Sequence, residues 1–408
     1  MAKILVIPSW YPPDGGRYFQ DHAEGLAERG YDVAILVNRV MGIAQVSPGE
    51  IKYQKKFQIS QVNGTRVIRS YYRKWPKNEM KDIEDWATST LELFYKYCQE
   101  FGNPDLILAH SAIWAGYAAY MISEESGIPY IIAERRNRFT ALTEKARELL
   151  KESYGPYLMA AFKGASKIVT ISDALRRAIL KYARGDCEIH TIPDFVYTQF
   201  FTRPGKRERD PFVILSVGDL EHKMGMDLLI EAFDLISEDL PDAELRIIGE
   251  GPLSGDLNKM ATQTPGGSRV RFLGRLSPGH LREELHGAKV LALAPRYQAF
   301  GHIIVEAMST GLPVMATRAG GPQTIIPEFA GFLAGRESVP SIFVGLKTIH
   351  SIYHDFQPEK ISRYANKHFS RKAVLRRYVE LIQSIIGPQG ESGTLEKASM
   401  ESLFSHKA

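Results

Sequence analysis

The sequence has little cysteine, little net charge and no long apolar run. Its two cysteines, Cys98 and Cys187, lie far apart and outside any CxxC or His-rich context, so neither a disulfide framework nor a zinc site is indicated. The 51 basic and 47 acidic side chains leave a net charge of +4 over 408 residues, too slight an excess to indicate nucleic-acid binding. No stretch approaches the roughly 18 apolar residues that span a bilayer. We therefore expect a cytoplasmic protein that contacts a membrane, if at all, only peripherally.

Two signatures of nucleotide and metal chemistry are absent as well. The fingerprint GxGxxG is missing after the first apolar run, where Asp14, Gly15 and Gly16 form only a glycine turn. It is also missing at Gly249 and Gly251, because no third glycine follows, and this argues against a nicotinamide oxidoreductase. The second half has no Asp-x-Asp motif and no His, Cys or carboxylate cluster at ligand spacing, which predicts metal independence. We expect neither a bound metal nor another cofactor.

Apolar residues instead follow an alternation of strands and helices. The runs KILVI, QDHAEGLAERG and DVAIL are typical of a strand, a helix and a strand, and an Asn63-Gly64 turn further on predicts a β-hairpin. After a polar segment bracketed by prolines, a second series of short apolar runs begins at FVILSVG. At about 100 to 200 residues per domain, the length also indicates two domains. We predict an α/β protein with a first domain at 1–200, a linker at 201–211, a second domain at 212–364, a final helix at about 365–387 and a disordered tail at 388–408.

Function is expected at the carboxyl ends of the strands, because parallel sheets bind ligands there. The most specific sequence in such a position is RYQAFGHIIVEAMSTGLPVMATRAGGPQ, residues 296–323, with three glycine-bearing turns and Glu306 at the mouth of a helix. It resembles glycosyltransferase family 4, whose motif reads E-x-F-G-x-x-x-x-E-A-M-x-x-G-x-P-V before a Gly-Gly turn. The matching residues are Phe300, Gly301, Glu306, Ala307, Met308, Gly311, Pro313, Val314, Gly320 and Gly321. Gln298 stands where the family has its first Glu.

The resemblance extends over most of the chain. SWYPPDGGRYFQDHAEGLAERGYDV and IPDFVYTQFF resemble the family's first domain, and VGDLEHKMGMDLLIEAF, LRIIGEGP and VRFLG follow in the order of its second. The resemblance implies the GT-B fold, in which two Rossmann-like domains face each other across a cleft. It also implies that residues 1–200 bind the acceptor, that residues 212–364 bind a nucleotide-sugar, and that the final helix crosses back to the first domain.

The resemblance also assigns roles in the donor site. Glu306 would accept two hydrogen bonds from ribose hydroxyls, and the alternative for it is a charge at a helix N-terminus. Gln298 would recognise sugar hydroxyls, but without a charge it cannot stabilise a cationic anomeric centre. Main-chain groups at Arg275 would meet the base, and amides near Gly301 would face the diphosphate. The other donor-binding residues implied are Gly16, Gly218, Asp219, Lys223, Gly249, Phe300, His302 and Ile303.

The sequence departs from the family at the diphosphate. Asp219 and Met224 occupy the positions of the usual Arg and Lys. Removing one preorganised donor can cost about 10² to 10³ in rate, so two uncompensated losses would silence the enzyme. Lys223 lies one residue early, and Arg296 and Arg318 flank the second phosphate-facing segment, so we expect these cations to compensate. Alternatively, Asp219 points into the loop and caps the next helix.

The first domain departs from the family after the strand PYIIA. Many relatives have a His there, often as Glu-His, beside the transferred sugar, whereas this chain has Glu134 and Arg135 followed by Arg136-Asn137-Arg138. The basic cluster suits either an anionic acceptor or the donor's phosphates, and both interpretations stay open. The predicted acceptor-binding residues are His110, Glu134 and Arg135, and the predicted catalytic residues are Arg135, Gln298 and Glu306. For His110, a lone histidine at the end of a strand, a structural role is the alternative.

The activity implied is retaining transfer of a sugar from a nucleoside-diphosphate sugar to a hydroxyl of a glycan or lipid-linked acceptor, as in cell-surface polysaccharide or glycoconjugate synthesis. UDP is the commonest nucleotide in the family. No catalytic nucleophile is evident. The resemblance implies attack on the same face as the departing diphosphate, so that a phosphate oxygen of the leaving group would take the acceptor proton and positioning would supply the catalysis. One alternative is a catalytically weakened relative that binds a glycan or a protein partner. Another is a different GT-B activity, such as epimerisation or hydrolysis of the donor.

One segment indicates a membrane contact. The pattern at 141–163 combines Lys145, Arg147, Lys151 and Lys163 with apolar residues, which predicts weak binding to anionic lipids at the inner face of the membrane. A helix packed inside the acceptor domain is the alternative.

Overall fold

A computed structural model describes residues 1–11, 15–41, 58–73, 79–136, 139, 152–183, 187–205 and 211–388. The predicted positions Asp14, Asn137 and Arg138, the segments 141–151 and 206–210, and the tail beyond residue 388 lie outside the described residues. Two sheets of mainly parallel strands, flanked by helices, form the described part. The predicted α/β architecture is confirmed.

The strands of the first sheet are β1 Lys3–Pro8, β2 Asp32–Met41, β3 Gln58–Val62, β4 Thr65–Arg73, β5 Leu106–His110, β6 Tyr130–Glu134, β7 Lys167–Thr170 and β8 Ile189–Thr191. Their order across the sheet is β3-β4-β2-β1-β5-β6-β7-β8. Neighbouring strands are parallel except β3 and β4, which pair antiparallel around the turn at Asn63 and Gly64, so the predicted hairpin is confirmed. Residues Ile4 to Ile7 of β1 are completely buried, as expected for a central parallel strand covered on both faces.

The helices of the first half are α1 Arg17–Ala27, α2 Glu79–Phe101, α3 Tyr117–Ser126, α4 Gly155–Gly164 and α5 Asp173–Ile179. α2 buries Trp86, Phe94 and Tyr97 in the core, and full burial of one such side chain contributes about 1.5–3 kcal/mol. α4 buries Leu158 and Phe162 in the same core. For the described part of 141–163, this packing favours a helix inside the domain over a membrane contact. No helix in the described ranges has the length and apolar character needed to cross a membrane.

The strands of the second sheet are β9 Phe212–Val217, β10 Ala243–Ile248, β11 Val270–Gly274, β12 Val290–Leu293, β13 Val314–Thr317 and β14 Gly331–Ala334. Its helices are α6 Met226–Asp239, α7 Ser254–Thr262, α8 Pro278–Gly287, α9 His302–Ser309, α10 Gly321–Ile325 and α11 Val339–Ser351. The strand order is β11-β10-β9-β12-β13-β14, all parallel. Successive strands are added to one side of β9 and then, from β12 onwards, to its other side. The first sheet changes direction in the same way between β1 and β5. Ligands bind outside the carboxyl ends of strands at such reversals.

The last two helices, α12 Pro358–Phe369 and α13 Arg371–Ile386, bring the chain back to the first sheet. α13 begins after Ser370, whose side chain accepts a hydrogen bond from the backbone N–H of Ala373 at 3.3 Å and so satisfies one free amide of the first turn. Val374 and Tyr378 of α13 belong to the core cluster that also contains Ile4 of β1. The C-terminal helix therefore packs against the N-terminal half.

The two halves meet where α5 contacts α10. The backbone N–H of Asp173 points to Thr324 Oγ1 at 3.4 Å, and a Cβ added to Gly320 would lie 3.1 Å from the Cβ of Ala174. α5 follows the carboxyl end of β7, and α10 follows that of β13. The carboxyl ends of both sheets thus lead into the same junction, where a ligand would contact loops from both halves.

Candidate active site

A cleft of about 690 Å³ lies between the two halves of the chain. The residues that line it from the first half are Trp10, Arg135, Arg136, Ile171 and Asp194, and those from the second half are Gln298, Ala299, Phe300, Gly301 and His302. Each follows the carboxyl end of a strand, where ligand sites form in parallel sheets. Of the residues predicted from the sequence, five line the cleft, namely Arg135, Gln298, Phe300, Gly301 and His302.

Glu134, the last residue of β6, is completely buried beneath this cleft. Its carboxylate accepts the backbone N–H groups of Arg135 and Arg136 at 2.9 Å each, and that of Ala112 at 2.8 Å. The hydroxyl of Ser111, a residue with φ of 82°, donates to the same carboxylate at 3.2 Å. Glu134 therefore holds the turns after β5 and β6 and positions the two arginines. Its predicted acceptor-binding role stays a prediction, and its complete burial favours a structural role instead.

Arg135 forms a bidentate ion pair with Asp194. Its Nε and Nη2 donate to Asp194 Oδ1 and Oδ2 at 2.8 and 2.5 Å, and its guanidinium lies 3.4 Å from the centre of the Tyr18 ring. Asp194 is only 2% exposed. Burial alone would raise the pKa of this carboxyl, but the charge of Arg135 and the hydrogen bond from His302 outweigh burial and hold the pKa below its usual range. Asp194 is therefore a poor proton acceptor, and its role is to hold Arg135.

His302 reaches the same carboxylate from the opposite wall. Its Nε2 lies 3.2 Å from Asp194 Oδ2, and its ring packs against the buried ring of Phe300 at 5.1 Å. His302 is the first residue of α9, and Gly301 before it has a φ of 123°, which favours glycine. A Cβ at Gly301 would also lie 3.0 Å from Gln298 Oε1. The glycine thus allows α9 to begin at the cleft, where its first backbone amides have no acceptor within the helix.

Gln298 joins two loops of the second half. Its backbone N–H donates to the carbonyl of Ala319 at 2.9 Å, and its carbonyl accepts the N–H of Gly321 at 2.7 Å. Its side-chain Oε1 is buried without a hydrogen-bond partner within the described part of the chain. A buried acceptor of this kind is satisfied when a ligand hydroxyl donates to it. The predicted role of Gln298 towards sugar hydroxyls stays a prediction, and this placement favours it.

Glu306 lies in the second turn of α9, four residues after His302 and on the same side of the helix. The prediction that it opens the helix is wrong, and so is the alternative of a helix N-terminal charge, because the helix starts earlier, after Gly301. Ile303 lies between, partly buried. Burial raises the pKa of Glu306, and the nearby His302 lowers it by less. A partly buried carboxylate on this side of α9 can accept hydrogen bonds from ligand hydroxyls.

The cation predicted to replace the usual diphosphate lysine is already paired. Lys223 Nζ lies 2.8 Å from Glu221 Oε2 and 3.9 Å from Asp219 Oδ2. Burial lowers the pKa of Lys223, but the two carboxylates raise it by more, so the ammonium stays charged. The residue at the N-cap of α6 is Gly225 rather than Asp219. Arg318, after β13, is exposed and lies outside the cleft lining.

Arg296 and Met224 hold the loop after β9. Arg296 donates to Asp227 Oδ1 and Oδ2 at 2.9 and 2.6 Å, and to the carbonyl of His222 at 2.6 Å. Met224 is buried against Gly218, where an added Cβ would lie 2.5 Å from Met224 Cε. The guanidinium of Arg296 is committed to its ion pair. Its predicted compensation for the missing phosphate ligands is therefore corrected to a structural role.

The other predicted donor residues lie at strand and helix ends outside the cleft lining. Gly218, Gly249 and Arg275 follow β9, β10 and β11, and a Cβ at Gly249 would lie 1.9 Å from the carbonyl oxygen of Gly218. That close approach excludes any side chain at this position. Arg275 pairs on the surface with Glu250 at 3.4 Å. Gly16 is the N-cap of α1, with a φ of 79°.

His110, the last residue of β5, lies below the cleft surface. Its ring stacks on Phe19 at 4.4 Å and lies 5.4 Å from the ring of His22. Both histidines are completely buried, and their ring nitrogens have no hydrogen-bond partner among the residues described. Burial lowers the pKa of His22 to about 3 and that of His110 well below its ordinary value, so both rings are neutral. The predicted acceptor-binding role of His110 stays a prediction, and this packing favours the structural alternative.

Sequence reasoning missed Asp194 and Trp10. Asp194 is the acidic residue of IPDFVYTQFF, and it follows β8, which β7 separates from β6, the strand that ends at the basic cluster. A carboxylate in an apolar segment requires a cation, and that requirement was the usable signal. Trp10 follows the first strand, at the edge of the sheet where ligands bind, and its aromatic ring was the signal there.

Two family models match successive segments of the chain. Glycosyltransferase Family 4 matches residues 15–200, and Glycosyl transferases group 1 matches residues 198–368. The chain belongs to glycosyltransferase family 4. Its family membership agrees with the resemblance seen in the motif at 296–323, and it makes the protein a glycosyltransferase.

Similar proteins support the same assignment. TuaC of Bacillus subtilis, a glycosyltransferase assigned to teichuronic acid biosynthesis, is 25% identical over 362 residues, which cover 83% of this chain and 87% of TuaC. Other curated relatives are 28% to 32% identical, but this chain spans only about a third of their length, 32% to 36%.

Solved structures show the fold. Sucrose-phosphate synthase from Thermosynechococcus elongatus superimposes with a TM-score of 0.72 at 19% identity, over 94% of this chain and 99% of that one. Anabaena HepE in complex with UDP superimposes with a TM-score of 0.67 at 16% identity, over 94% of this chain and 100% of that one. The predicted GT-B fold is confirmed for this glycosyltransferase.

Proposed function

We propose that this glycosyltransferase is retaining and metal-independent, and that it moves a sugar from a nucleoside-diphosphate sugar to a hydroxyl of a glycan or lipid-linked acceptor. The observation that carries the proposal is the cleft of about 690 Å³ with one wall from each half of the chain. UDP is the proposed nucleotide, because the similar HepE structure contains UDP. Cell-surface polysaccharide synthesis is the proposed setting, in line with the role assigned to TuaC.

The second half carries the features suited to the donor. In this proposal the diphosphate lies at the N-terminus of α9, where Gly301 precedes the helix and lines the cleft together with His302. Glu306, one turn further along the helix, accepts hydrogen bonds from the ribose. The buried Oε1 of Gln298 accepts one from a hydroxyl of the transferred sugar. These three groups would fix the donor at its nucleotide, phosphate and sugar parts.

The cleft offers no side chain suited to attack the sugar. Asp194 is the acid among the described lining residues, and both of its oxygens are held by Arg135 while its pKa is depressed. In the proposed reaction the acceptor hydroxyl forms a bond to the anomeric carbon on the face from which the diphosphate departs. The bond from that carbon to the diphosphate breaks, and the acceptor proton passes to the leaving phosphate oxygen. Positioning and electrostatic stabilisation therefore supply the catalysis.

One observation favours a second function, the binding of a glycan without turnover. The cations nearest the usual diphosphate positions are occupied, because Lys223 pairs with Glu221 and Arg296 pairs with Asp227. Met224 replaces the usual lysine with an apolar side chain packed on Gly218. A donor site with few free cations stabilises a leaving diphosphate poorly, although it can still bind a nucleotide through Glu306.

A nucleotide screen followed by turnover assays tests the proposal. UDP, GDP and ADP are compared by thermal unfolding, since a ligand at 100 times its Kd stabilises a protein by about 2.7 kcal/mol. We expect UDP to give the largest shift, and a UDP-sugar with an acceptor panel to give a glycoside with the donor's anomeric configuration, read by NMR. Absence of stabilisation by every nucleotide would contradict the donor site. Nucleotide binding without any transfer would support the second function instead.

A further inference from the structure

A second cavity, of about 490 Å³, lies where the turn after α1 meets α12 and α13, and it shares no lining residue with the cleft. Its lining contains four cations, Arg29, Lys367, Lys372 and Arg376, and no acid among the residues described. We call this cavity the basic pocket. We propose that it binds a phosphate group, carried either by a soluble phosphate ester or by a lipid headgroup. Such a site is independent of the proposed sugar transfer.

Two lysines supply the charge of the basic pocket that is open to a ligand. Lys367 lies in the last turn of α12, and Lys372 lies in the first turn of α13. Neither lysine forms an ion pair with a residue that the structure describes. A lysine ammonium has three donors on a flexible stem, so it adjusts readily to the oxygens of a phosphate. The excess positive charge of the pocket therefore rests on Lys367 and Lys372.

Arg29 is held by the protein and repelled by a neighbouring cation. Its Nη1 donates to the carbonyl of Gly25 at 2.8 Å. Burial lowers the pKa of Arg29 and the charge of Arg371 lowers it further, whereas Glu28 raises it by less. The carboxylate of Glu28 accepts a hydrogen bond from Arg371 at 2.5 Å, and Arg371 is outside the pocket lining. An anion bound beside Arg29 would offset this repulsion.

Lys372 and Arg376 are four residues apart on α13, so they lie on the same side of the helix. Like charges at this spacing destabilise a helix unless a counter-charge lies near them. The acid next to them is Glu380, 3.6 Å from Arg376, and both side chains of that pair are mostly exposed, at 65% and 73%. An ion pair with that exposure is screened by water and contributes little. The repulsion along this side of α13 is therefore only weakly compensated within the described chain.

The size and chemistry of the basic pocket fit a small phosphate ester. Its volume lies within the range of about 300–1,000 Å³ that is usual for small-molecule sites. A phosphate monoester carries a charge of about −1.5 to −2 at pH 7 and three acceptor oxygens, which matches two ammonium groups. Ala373 and Val379 also line the pocket and offer apolar contacts to the carbon part of the ester. Cations that converge in a concave site attract an anion more strongly than the same charges spread over a flat surface.

Two probes on the full chain test the proposal and distinguish the two sources of phosphate. NMR of the chain with isotope-labelled lysines follows a titration with glycerol 3-phosphate, and the signals of Lys367 and Lys372 are assigned from single Lys→Gln variants. We expect glycerol 3-phosphate to shift these two signals and neutral glycerol to leave them unchanged. Flotation compares vesicles of phosphatidylglycerol and phosphatidylcholine with vesicles of phosphatidylcholine alone. Binding to the anionic vesicles without a response to glycerol 3-phosphate would assign the phosphate to a lipid headgroup.

The double variant Lys367→Gln with Lys372→Gln should weaken binding of the responding probe by about fivefold for each lysine removed, as is usual for a lysine near an anionic surface. The double variant Lys367→Arg with Lys372→Arg keeps both charges and should retain the binding. Thermal unfolding of each variant shows whether the fold is preserved.

The matched control is Lys96→Gln with Lys259→Gln, which removes the same charge at two exposed lysines outside both cavities. It should bind both probes as the native chain does. An equal loss in this control would show that only the overall charge matters and would overturn the proposal. The proposal would also be wrong if neither probe bound the native chain, or if binding survived in Lys367→Gln with Lys372→Gln.

Discussion

His302 Nε2 and Asp194 Oδ2 lie 3.2 Å apart across the cleft, although they belong to different halves of the chain. The same carboxylate forms a bidentate pair with Arg135. One buried acid thus connects the first residue of α9 to the arginine of the opposite wall. We infer that this contact aligns the proposed donor and acceptor sides of the cleft.

The first prediction concerns His302. His302→Ala removes the link across the cleft but leaves the pair of Arg135 and Asp194 intact. We expect kcat to fall by about tenfold or more, because misalignment of two substrates is costly, while the Kd for UDP changes little. Steady-state kinetics and calorimetry measure the two quantities. His354→Ala, a change at an exposed histidine outside the cleft lining, should affect neither. An unchanged kcat in His302→Ala would show that the contact plays no part in alignment.

The second prediction concerns the pH dependence of nucleotide binding. Burial raises the pKa of Glu306 above its ordinary value of 4.5, so this carboxyl takes up a proton earlier on acidification than an exposed Glu does. Only the ionised form accepts both ribose hydrogen bonds. UDP affinity should therefore be full above the raised pKa and fall as the pH drops through it. The free energy of unfolding changes with pH in the opposite direction. Burial of the ionised carboxylate lowers it above the raised pKa, and this loss disappears as the pH falls through that pKa towards the ordinary value of 4.5.

Glu306→Gln is the variant that isolates this effect. It should bind UDP more weakly at neutral pH and lose the acid-dependent change in affinity. Calorimetry from about pH 5 to pH 8 on both proteins provides the measurement, with the pH range set by the ordinary pKa of glutamate. If the native chain and Glu306→Gln gave parallel pH profiles, another group would be responsible.

Much of the fold could be predicted because local patterns carry it. The buried run of β1 and the Asn63-Gly64 turn both depend on residues adjacent in sequence, so periodicity and turn chemistry revealed them. Glu306 was placed too early in its helix because the helix start depends on the backbone of Gly301, which can adopt a φ of 123°. A glycine marks a turn in sequence but does not reveal which residue begins the helix.

The ion pairs of the site could not be predicted in the same way. Arg296 and Asp227 are 69 residues apart, and Arg135 and Asp194 are 59 apart, so only the packing of strands brings them together. Arg296, a cation near the expected phosphate site, was therefore predicted to be available to a ligand, whereas in the fold it is paired with Asp227. The chemistry of each residue was readable from sequence, but its partner depended on the tertiary fold.

The third prediction tests whether Lys223 contributes to the donor site. Lys223 is held by Glu221 at 2.8 Å, so Glu221→Gln should free the ammonium and strengthen UDP binding. We expect a gain of up to about fivefold, in keeping with the small energies of exposed ion pairs, and a loss in Lys223→Ala. Asp239→Asn, which breaks the exposed pair with Lys347 elsewhere, is the matched control. UDP affinity unaffected by both Lys223→Ala and Glu306→Ala would rule out this cleft as the donor site.

The fourth prediction is that activity does not depend on a metal ion. The described ranges contain no group of three or more His, Cys, Asp or Glu side chains that could hold one, and the second half of the sequence has no Asp-x-Asp motif. Treatment with a chelator should leave both UDP binding and turnover unchanged. Loss of either with chelator, restored by magnesium or manganese, would contradict the prediction.

The fifth prediction separates the structural and catalytic roles of Arg135. Arg135→Gln leaves the carboxylate of Asp194 buried without its main partner, and Asp194→Asn leaves a guanidinium that is only 15% exposed. Removing one member of a buried pair costs about 3–5 kcal/mol of the free energy of unfolding. The double variant Arg135→Gln with Asp194→Asn removes both charges at similar volume, so most of the stability should return. Urea unfolding measures this recovery.

Acid stability and turnover in the same variants decide the role of Arg135. The pKa of Asp194 is depressed in the fold, so its contribution to stability is complete above the ordinary pKa of aspartate and is lost as the pH falls towards the folded value. The double variant should lack this acid-dependent loss. Turnover should stay low in it despite the regained stability, because the double variant lacks the cation that is predicted to lie beside the transferred sugar. If turnover returned together with stability, Arg135 would serve only to neutralise Asp194, and the catalytic role assigned to it would be wrong.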